Sequence, residues 1–314
     1  MKYFLIINPA SKSGKNKNRI KKMLEILSAK NVEYKYEYTT SLESAYNLSV
    51  WANKENYDVI TAVGGDGTIN RVINGFFDKE GNRISNSKFA VIYSGTSPDF
   101  CKSYNIPIKL EKAIETMLKG SMREIPIGKI IHSTNSIEDK NTSFFACCAN
   151  IGIGPLLAQK ANAGIRKYLG DLLGTFCSLI GILTRFKPSN YTVKIDGKEK
   201  VLSNVYNISV GITQYIASGI KINNELNGNE KRFYGVFVKN LKKRNWLELI
   251  RKIYGGKKFE NNNVLSLEYF ERIEVLNSSN NKEIEFDGDP AGFLPCAISY
   301  AKDKLPLICE VYDE

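Results

Sequence analysis

Residues 64–68, with the sequence GGDGT, combine the residue types that a phosphate-binding loop needs. They follow an apolar run at 58–63, which predicts a buried strand, and they precede residues 69–77, which predict a helix. Glycine lets a backbone approach a phosphate closely, and the first N–H groups of a helix point at such an anion. Asp66 adds a carboxylate for Mg²⁺, which phosphoryl transfer uses to neutralise developing charge. A tight turn without a ligand is the alternative, and the strand–loop–helix context weighs against it.

Two more loops rich in small and hydroxyl residues follow predicted strands. Residues 8–15 (NPASKSGK) come after an apolar run at 3–8, and residues 94–96 (SGT) come after a run at 89–93. Residues 8–15 lack the spacing of a Walker A loop, so a flexible surface loop stays an alternative. Ligands of parallel sheets bind outside the carboxyl ends of the strands. The three loops together therefore predict a phosphate site more strongly than any one of them.

The chain contains a single histidine, His132, in a polar stretch that predicts a loop. This excludes histidine-rich metal sites and makes a Ser-His-Asp hydrolase untenable. Proton transfer must therefore fall to Asp, Glu, Lys or Tyr side chains. Residues 287–292 (DGDPAG) offer two carboxylates in a predicted β-turn, which a plain hairpin would also explain.

The order of predicted elements indicates two domains. Strands and helices alternate through the first third, which predicts an α/β domain with a mainly parallel sheet and helices on both faces. From about residue 125, short strand-like runs dominate and predict a mainly antiparallel β domain. We expect domains at residues 1–124 and 125–314, with the last strand free to return to the first domain.

Two apolar helical patterns in the second half allow more than one interpretation. Residues 165–183 carry a long apolar stripe, which indicates a packed core helix or a lid over an apolar substrate. Residues 244–254 mix apolar and basic residues and predict a solvated face or a helix on a membrane surface.

The cysteine pattern predicts a reducing compartment, and the net charge predicts an anionic partner. The six cysteines form no C-x-x-C pair, which favours free thiols, and no apolar run reaches the roughly 20 residues that span a bilayer. We therefore expect a cytoplasmic protein. The net charge of +11 indicates a nucleotide, a nucleic acid or an anionic membrane surface as partner.

These elements, in this order, resemble the diacylglycerol kinase catalytic-domain family, which includes bacterial lipid kinases and sphingosine kinases and is distantly similar to NAD kinases. The resemblance covers essentially the whole chain. Its most specific part is residues 64–68 followed by Asn70, Val72, Asn74 and Gly75, and then Gly95, Thr96, Asp99 and Phe100. Residues 222–228 and 287–288 agree more loosely. The family's fold implies a nucleotide-binding N-terminal domain and a β-sandwich-like C-terminal domain.

The resemblance also implies an activity and the residues for it. The family transfers the γ-phosphoryl group of ATP to a lipid hydroxyl. Asp66 would hold Mg²⁺, and Asp289 would stand where the family has a glutamate acting as general base. ATP, or its metal, would be contacted by Asn8, Ser13, Gly14, Thr39, Gly64, Gly65, Asp66, Gly67, Thr68 and Thr96. The expected partners are ATP, a diacylglycerol-type lipid alcohol and an anionic membrane surface, without nucleic acid, and the many strands leave room for a homodimer.

Five positions depart from the family's pattern: Arg71, Pro98, Pro155, Asn227 and Asp289. Asp289 is one methylene shorter than the family's glutamate, and misplacement on the ångström scale can cost about a hundredfold in rate. These departures motivate a second hypothesis, a nucleotide- or lipid-binding protein of the same fold with little or no kinase activity. An NAD kinase fits the DGD sequence less well, and nucleic-acid binding would rest on charge alone.

Overall fold

The structure is a computed structural model that describes residues 1–11, 16–134, 136, 138–160, 186–216, 220–226, 231–242 and 261–311. It divides into two compact units. One comprises Met1–Ile127 together with Ala301–Glu314, and the other comprises Gly128–Tyr300. The C-terminal segment thus packs with the first unit. Ser13, Gly14, Cys177 and Asn227, and the apolar patterns at 165–183 and 244–254, lie outside the described residues.

The first unit is built on a six-stranded sheet with the order β2-β1-β3-β4-β18-β5. The strands are β1 (Tyr3–Ile7), β2 (Tyr34–Tyr38), β3 (Val59–Gly64), β4 (Lys88–Tyr93), β5 (Met122–Ile125) and β18 (Leu305–Ile308). Neighbours from β2 through β18 run parallel, and β5 runs antiparallel to β18. The strands β1, β3 and β18 are buried along their whole length and almost entirely apolar, with Thr61 of β3 as a buried polar residue, as expected of strands covered on both faces. The mainly parallel sheet predicted from the sequence is confirmed.

The described residues of the first unit form five helices. They are α1 (Lys17–Ala29), α2 (Leu42–Lys54), α3 (Asp66–Asn74), α4 (Asp99–Ser103) and α5 (Leu110–Lys119). Ile20, Met23 and Leu27 recur at helical spacing on α1 and are buried in the same apolar cluster as Ile114 and Met117 of α5. The α3 helix begins at Asp66, earlier than the predicted start at residue 69, because Gly65 is extended and the chain turns helical directly after it.

The second unit contains a mainly antiparallel sheet that closes on itself and a separate two-stranded sheet at residues 215–216 and 220–221. Its strands are β6 (Gly128–Ser133), β7 (Lys140–Phe145), β8 (Cys148–Gly152), β9 (Ser189–Ile195), β10 (Lys198–Gly211), β11 (Tyr215–Ile216), β12 (Ile220–Lys221), β13 (Phe233–Lys239), β14 (Leu265–Phe270), β15 (Ile273–Ser278), β16 (Glu283–Phe286) and β17 (Asp289–Tyr300). The long β10 pairs with β9 along its first half and with β8 along its second half, which joins both ends of the path β8-β16-β17-β15-β9. One helix, α6 (Ile153–Lys160), packs on β8, β16 and β17. The predicted antiparallel β domain is confirmed.

Two hairpins of the second unit use a two-residue Asp-Gly turn. Asp196 and Gly197 join β9 to β10, and Asp287 and Gly288 join β16 to β17. All four residues have positive φ values. Positive φ at both central positions defines the turn whose twist matches that of the flanking strands, and Asp-Gly is a preferred sequence for it. The turn predicted at residues 287–288 is therefore a tight hairpin.

His132 was predicted to lie in a loop, and that prediction is wrong. It lies in β6, is buried, and its Nε2 lies 3.1 Å from Ser143 Oγ on the paired strand β7. A Cβ added at Gly292 would stand 2.2 Å from His132 Nδ1, so the missing side chain of a distant glycine provides the space for the ring.

The described cysteines and helices bear on the predictions of free thiols and of no membrane-spanning segment. The cysteines at 101, 147, 148, 296 and 309, all within the described ranges, are buried and free. No helix in the described part of the chain is long and apolar enough to cross a membrane.

Candidate functional site

The loops that follow β1, β3 and β4 lie at one edge of the first unit's sheet, because these strands are parallel neighbours. Hydrogen bonds between backbone groups connect these segments directly. The Asn8 N–H donates to Val63 O at 2.9 Å, and the Ser94 N–H donates to Gly64 O at 2.8 Å. The three sequences that predicted a phosphate site therefore meet at the carboxyl ends of the strands.

Asn8 ties the first loop to the helix after the second loop. Its Nδ2 donates to Thr68 Oγ1 at 2.9 Å, and its Oδ1 accepts from the Ala10 N–H at 3.0 Å. The Thr68 side chain is buried against Gly64, where an added Cβ would stand 2.5 Å from both Thr68 Cβ and Oγ1. Glycine is thus required at residue 64 by packing within the loop.

Asn16 connects the first loop to the third. This buried residue precedes α1, and its Nδ2 lies 2.8 Å from Ser11 Oγ and 2.9 Å from Ser94 O. The hydroxyls of Ser11 and Ser94 are 2.9 Å apart. Sequence reasoning missed Asn16, because its contact with Ser94 O joins segments distant in the sequence and its side chain makes no capping bond to α1.

Gly65 and Gly95 bring the second and third loops into direct backbone contact. A Cβ on Gly95 would stand 2.6 Å from Gly65 Cα, and a Cβ on Gly65 would stand 3.1 Å from Gly95 Cα. Backbone N–H groups at this point are not screened by side chains of residues 65 and 95. This is the arrangement in which a phosphate can approach the main chain.

Asp66 lies at the first residue of α3 and is held by Tyr93, the last residue of β4. Tyr93 Oη donates to Asp66 Oδ2 at 3.2 Å. Burial raises the pKa of Tyr93 far above its ordinary value, and the negative charge of Asp66 raises it further. Tyr93 therefore stays protonated and remains a donor. Burial, with Asp66 as a second cause, also raises the pKa of the Cys101 thiol, which makes it an inert neighbour.

These residues fit a nucleotide phosphate carrying Mg²⁺. The α3 helix follows Gly65, which has no side chain to cap it, so its first N–H groups and its dipole favour an anion there. Within the described ranges no cluster of three or more His, Cys, Asp or Glu side chains could hold a metal. Mg²⁺ is commonly bound through one or two carboxylates together with substrate phosphates, and Asp66 can supply such a ligand.

In the second unit, Asp287 anchors the hairpin that carries Asp289. Its two carboxylate oxygens accept from the N–H groups of Ala146, Cys147 and Cys148 at 2.7–3.1 Å. Asp287 is therefore committed to holding the turn against the start of β8. Asp289 is the first residue of β17, partly exposed, and directly opposite Phe286 of β16.

A buried carboxylate that sequence reasoning missed lies beside this turn. Glu285 Oε2 accepts from Asn150 Nδ2 at 2.8 Å, and its Oε1 accepts from the Gly288 N–H. Burial raises the pKa of Glu285 to about 7, and the charges of Asp287 and Asp289 act in the same direction. Glu285 stands between Ile284 and Phe286, an alternation that indicates a solvated side chain, so the sequence carried no clear signal.

The structure thus brings several of the predicted site residues together in the first unit. Asn8, Gly64, Gly65, Asp66, Gly67 and Thr68 lie in the joined loops and the first turn of α3. Thr96 is exposed in the third loop, and Thr39, buried after β2, donates its N–H to Ile7 O. Ser13 and Gly14 lie outside the described residues, and Asp289 belongs to the second unit.

Comparisons with known proteins agree with this fold and site. Residues 2–130 match the diacylglycerol kinase catalytic domain, and residues 155–309 match the YegS C-terminal NAD kinase β-sandwich-like domain. The first match is to the catalytic domain of a kinase that transfers phosphate to an alcohol. The chain is thus similar to the diacylglycerol kinase catalytic domain in its first part and to the NAD kinase β-sandwich-like domain in its second part.

Individual proteins of known name show the same similarity. The chain is 27% identical over 293 residues to a diacylglycerol kinase of Bacillus subtilis, which covers 93% of this chain and 90% of that protein. A solved diacylglycerol kinase structure from Bacillus anthracis superposes with a TM-score of 0.68 at 20% identity, over 98% of this chain and 97% of the other. Yeast NADH kinase, solved with NADH, gives a TM-score of 0.55 at 9% identity, over 99% and 84%. The two solved structures show that the fold is shared.

Proposed function

We propose that this protein is a Mg-ATP-dependent lipid kinase that transfers the γ-phosphoryl group of ATP to the hydroxyl of a diacylglycerol-type lipid. The observation that carries the proposal is the joining of three glycine- and serine-containing loops around Asp66 at the start of α3. The match to the diacylglycerol kinase catalytic domain over residues 2–130 covers all three loops and supports the same assignment.

In the first unit, the chain's own groups would bind and orient the nucleotide. The N–H groups at the start of α3 receive phosphate oxygens, and Gly65 and Gly95 permit the close approach. Asp66 is proposed as the ligand of Mg²⁺, with Tyr93 fixing the direction of its carboxylate. Bound Mg²⁺ would neutralise charge that develops on the phosphates.

In the second unit, Asp289 is proposed to accept the proton of the lipid hydroxyl at its carboxylate. The proposal rests on the hairpin that presents Asp289 at its exit, on the partial exposure of this residue, and on the commitment of Asp287 to backbone N–H groups. A carboxylate that only orients or deprotonates the acceptor needs little further machinery, because phosphoryl transfer depends mainly on positioning and charge neutralisation.

Transfer of labelled phosphate to lipids tests the proposal. The full-length protein is incubated with γ-labelled ATP, Mg²⁺ and lipid alcohols, one at a time, in anionic vesicles. We expect label in the organic phase with diacylglycerol, and a loss of about a hundredfold or more in Asp66→Asn and in Asp289→Asn. Glu43→Gln, which changes an exposed carboxylate at the start of α2, is the matched control and should keep the wild-type rate.

The outcomes distinguish a lipid kinase from a binding protein without kinase activity, and they test the roles of Asp66 and Asp289 separately. Wild-type turnover in Asp289→Asn would contradict its role as base while leaving the kinase activity standing. Absence of transfer to every lipid, with ATP still bound in a calorimetric titration, would favour a nucleotide-binding protein without kinase activity. Transfer to a different alcohol would keep the kinase and replace the substrate.

A further inference from the structure

We infer that Glu285 is a positioning residue for Asp289, because its carboxylate holds the Asp287–Gly288 turn through the Gly288 N–H. This inference rests on the proposed function, in which Asp289 accepts the proton of the lipid hydroxyl. Glu285 is on β16, two residues before the turn, and Asp289 is the first residue after it. Glu285 therefore acts through the turn and has no proposed contact with the substrate.

The turn is held from two sides by two different carboxylates. Asp287 accepts N–H groups from Ala146, Cys147 and Cys148 and so fixes the turn to β8. Glu285 accepts the N–H of Gly288, the residue directly before Asp289. The other Asp-Gly hairpin offers a comparison, since Asp196 likewise accepts the N–H groups of Glu271 and Arg272. An aspartate that accepts neighbouring N–H groups is thus shared by both hairpins, and the buried glutamate behind the turn is a feature of the one that carries Asp289.

A row of buried polar side chains fixes Glu285 in place across three strands. Glu285 is directly opposite Asn150 of β8, and Asn150 is directly opposite Ser209 of β10. Asn150 donates to Glu285, and Asn150 Oδ1 accepts from Ser209 Oγ at 2.6 Å and from Asn207 Nδ2 at 3.2 Å. Asn207 Oδ1 in turn accepts the Gly154 N–H of α6 at 3.0 Å. The row therefore connects the first turn of α6 to the hairpin of Asp289.

The groups that face Glu285 explain why its charge state responds near neutral pH. From the turn it faces Asp287 and Asp289, and from β8 it faces Asn150, whose Nδ2 lies 3.5 Å from Cys148 Sγ. From β10 the row presents the uncharged Asn207 and Ser209. Burial and the two aspartates disfavour the ionised form, whereas the Gly288 N–H and Asn150 Nδ2 donors favour it, and the pKa is about 7.

Ionisation therefore strengthens the hold on the turn. A hydrogen bond to a charged acceptor is roughly twice as strong as a bond between neutral groups. When Glu285 is ionised, the Gly288 N–H has a charged acceptor, and when Glu285 is protonated it has a neutral one. The ionised Glu285 therefore positions Asp289 better. We expect the turnover rate to rise with pH through a midpoint near 7 for this reason.

The first experiment reads the turn directly and needs no activity. The amide signal of Gly288 is followed by NMR in the ¹⁵N-labelled full chain between pH 5.5 and 8.5. We expect a titration with a midpoint near 7 in the wild type, a titration with a lower midpoint in Asp289→Asn because a charge that raises the pKa of Glu285 is removed, and a flat response in Glu285→Gln. A wild-type amide that does not titrate in this range, or a titration that persists in Glu285→Gln, would overturn the inference. This readout decides about Glu285 even where the proposed kinase activity fails.

The second experiment separates positioning from folding and from nucleotide binding. We expect Glu285→Gln to lower kcat for lipid phosphorylation at pH 8 by about tenfold or more and to lose the pH midpoint near 7. The KM for ATP should stay unchanged, because the proposed nucleotide site is in the other unit. Glu283→Gln changes a partly exposed carboxylate of the same strand and is the matched control. Unchanged kcat in Glu285→Gln, or an equal loss in Glu283→Gln, would overturn the positioning role.

Discussion

Tyr93 is the residue that sets the direction of the proposed metal ligand. Tyr93 is buried at the end of β4, and its hydroxyl donates to Asp66. A buried tyrosine hydroxyl usually finds a partner, and its raised pKa keeps the proton on it at every working pH. One oxygen of Asp66 is thereby engaged by the protein, and the carboxylate is restricted in how it can turn.

Replacing Tyr93 with phenylalanine tests this restriction. The hydrogen bond to a charged acceptor contributes on the order of 1.5–3 kcal/mol, so we expect Tyr93→Phe to lower kcat about tenfold and to raise the Mg²⁺ concentration for half-maximal activity. Steady-state kinetics at varied Mg²⁺ measures both quantities. Tyr36→Phe, which removes an exposed hydroxyl from β2, is the control. Unchanged Mg²⁺ dependence in Tyr93→Phe would show that Tyr93 does not orient Asp66.

At the scale of elements, local patterns predicted the strands and helices that surround the first site. The runs at 3–8, 58–63 and 89–93 are β1, β3 and β4 within a residue or so, and the loops after them join as the rule for parallel sheets requires. The sequence did not predict the burial of residues whose surroundings come from segments distant in the chain. His132 is buried because Gly292 leaves it room, and Glu285 is buried beside Asn150 of β8, although alternation assigns its side of the strand to solvent.

Glycines of one loop illustrate the same difference between local and tertiary causes. Residues 64 and 67 look equivalent in the sequence, yet a Cβ at Gly64 would meet Thr68 at 2.5 Å, and a Cβ at Gly67 would meet Leu42 Cδ2 at 3.7 Å. Gly64 is therefore required for packing. Gly67, inside α3, has room for a methyl group, so the fold alone does not require a glycine there.

Alanine at these two positions separates folding from phosphate binding. We expect Gly64→Ala to lower the free energy of unfolding by about 1–3 kcal/mol through overpacking. Gly67→Ala should raise it by about 0.5–1 kcal/mol, because alanine is the better helix former. If a phosphate approaches the start of α3, Gly67→Ala should nevertheless weaken ATP binding. Denaturant unfolding and calorimetric titration with ATP measure the two effects, and full ATP affinity in Gly67→Ala would contradict a phosphate at residue 67.

For the molecule as a whole, Glu285 links the stability of the second unit to pH. Its folded-state pKa of about 7 lies above the ordinary value of 4.5. Below pH 4.5 both the folded and the unfolded states carry the proton, and above 7 neither does. Between these limits the folded state binds more protons, so the free energy of unfolding falls as pH rises. The contribution of Glu285 to the stability of the second unit is therefore largest at low pH.

The predicted loss between pH 4.5 and 7 is about 3 kcal/mol, since one pKa unit corresponds to about 1.4 kcal/mol. We expect Glu285→Gln to lack this slope, so that its stability relative to the wild type improves as pH rises. Amide exchange of β8 and β16 at pH 5 and 8, corrected for the intrinsic rate, measures the second unit separately from the first. Parallel pH dependence in the wild type and in Glu285→Gln would show that another group carries the linkage.

The charge of the whole chain bears on how it reaches a lipid. Lys and Arg number 44 against 33 Asp and Glu, a net charge of +11. Such a protein is attracted to anionic vesicles by about 1 kcal/mol for each basic residue near the surface, and salt screens this attraction over about 10 Å at 0.1 M. We expect the rate on anionic vesicles to fall severalfold between 0.05 and 0.5 M NaCl. The rate on a short-chain lipid dissolved in neutral detergent, measured at the same salt concentrations, should stay nearly constant. Equal salt dependence in both assays would place the effect in ATP binding and would remove the anionic surface from the proposal.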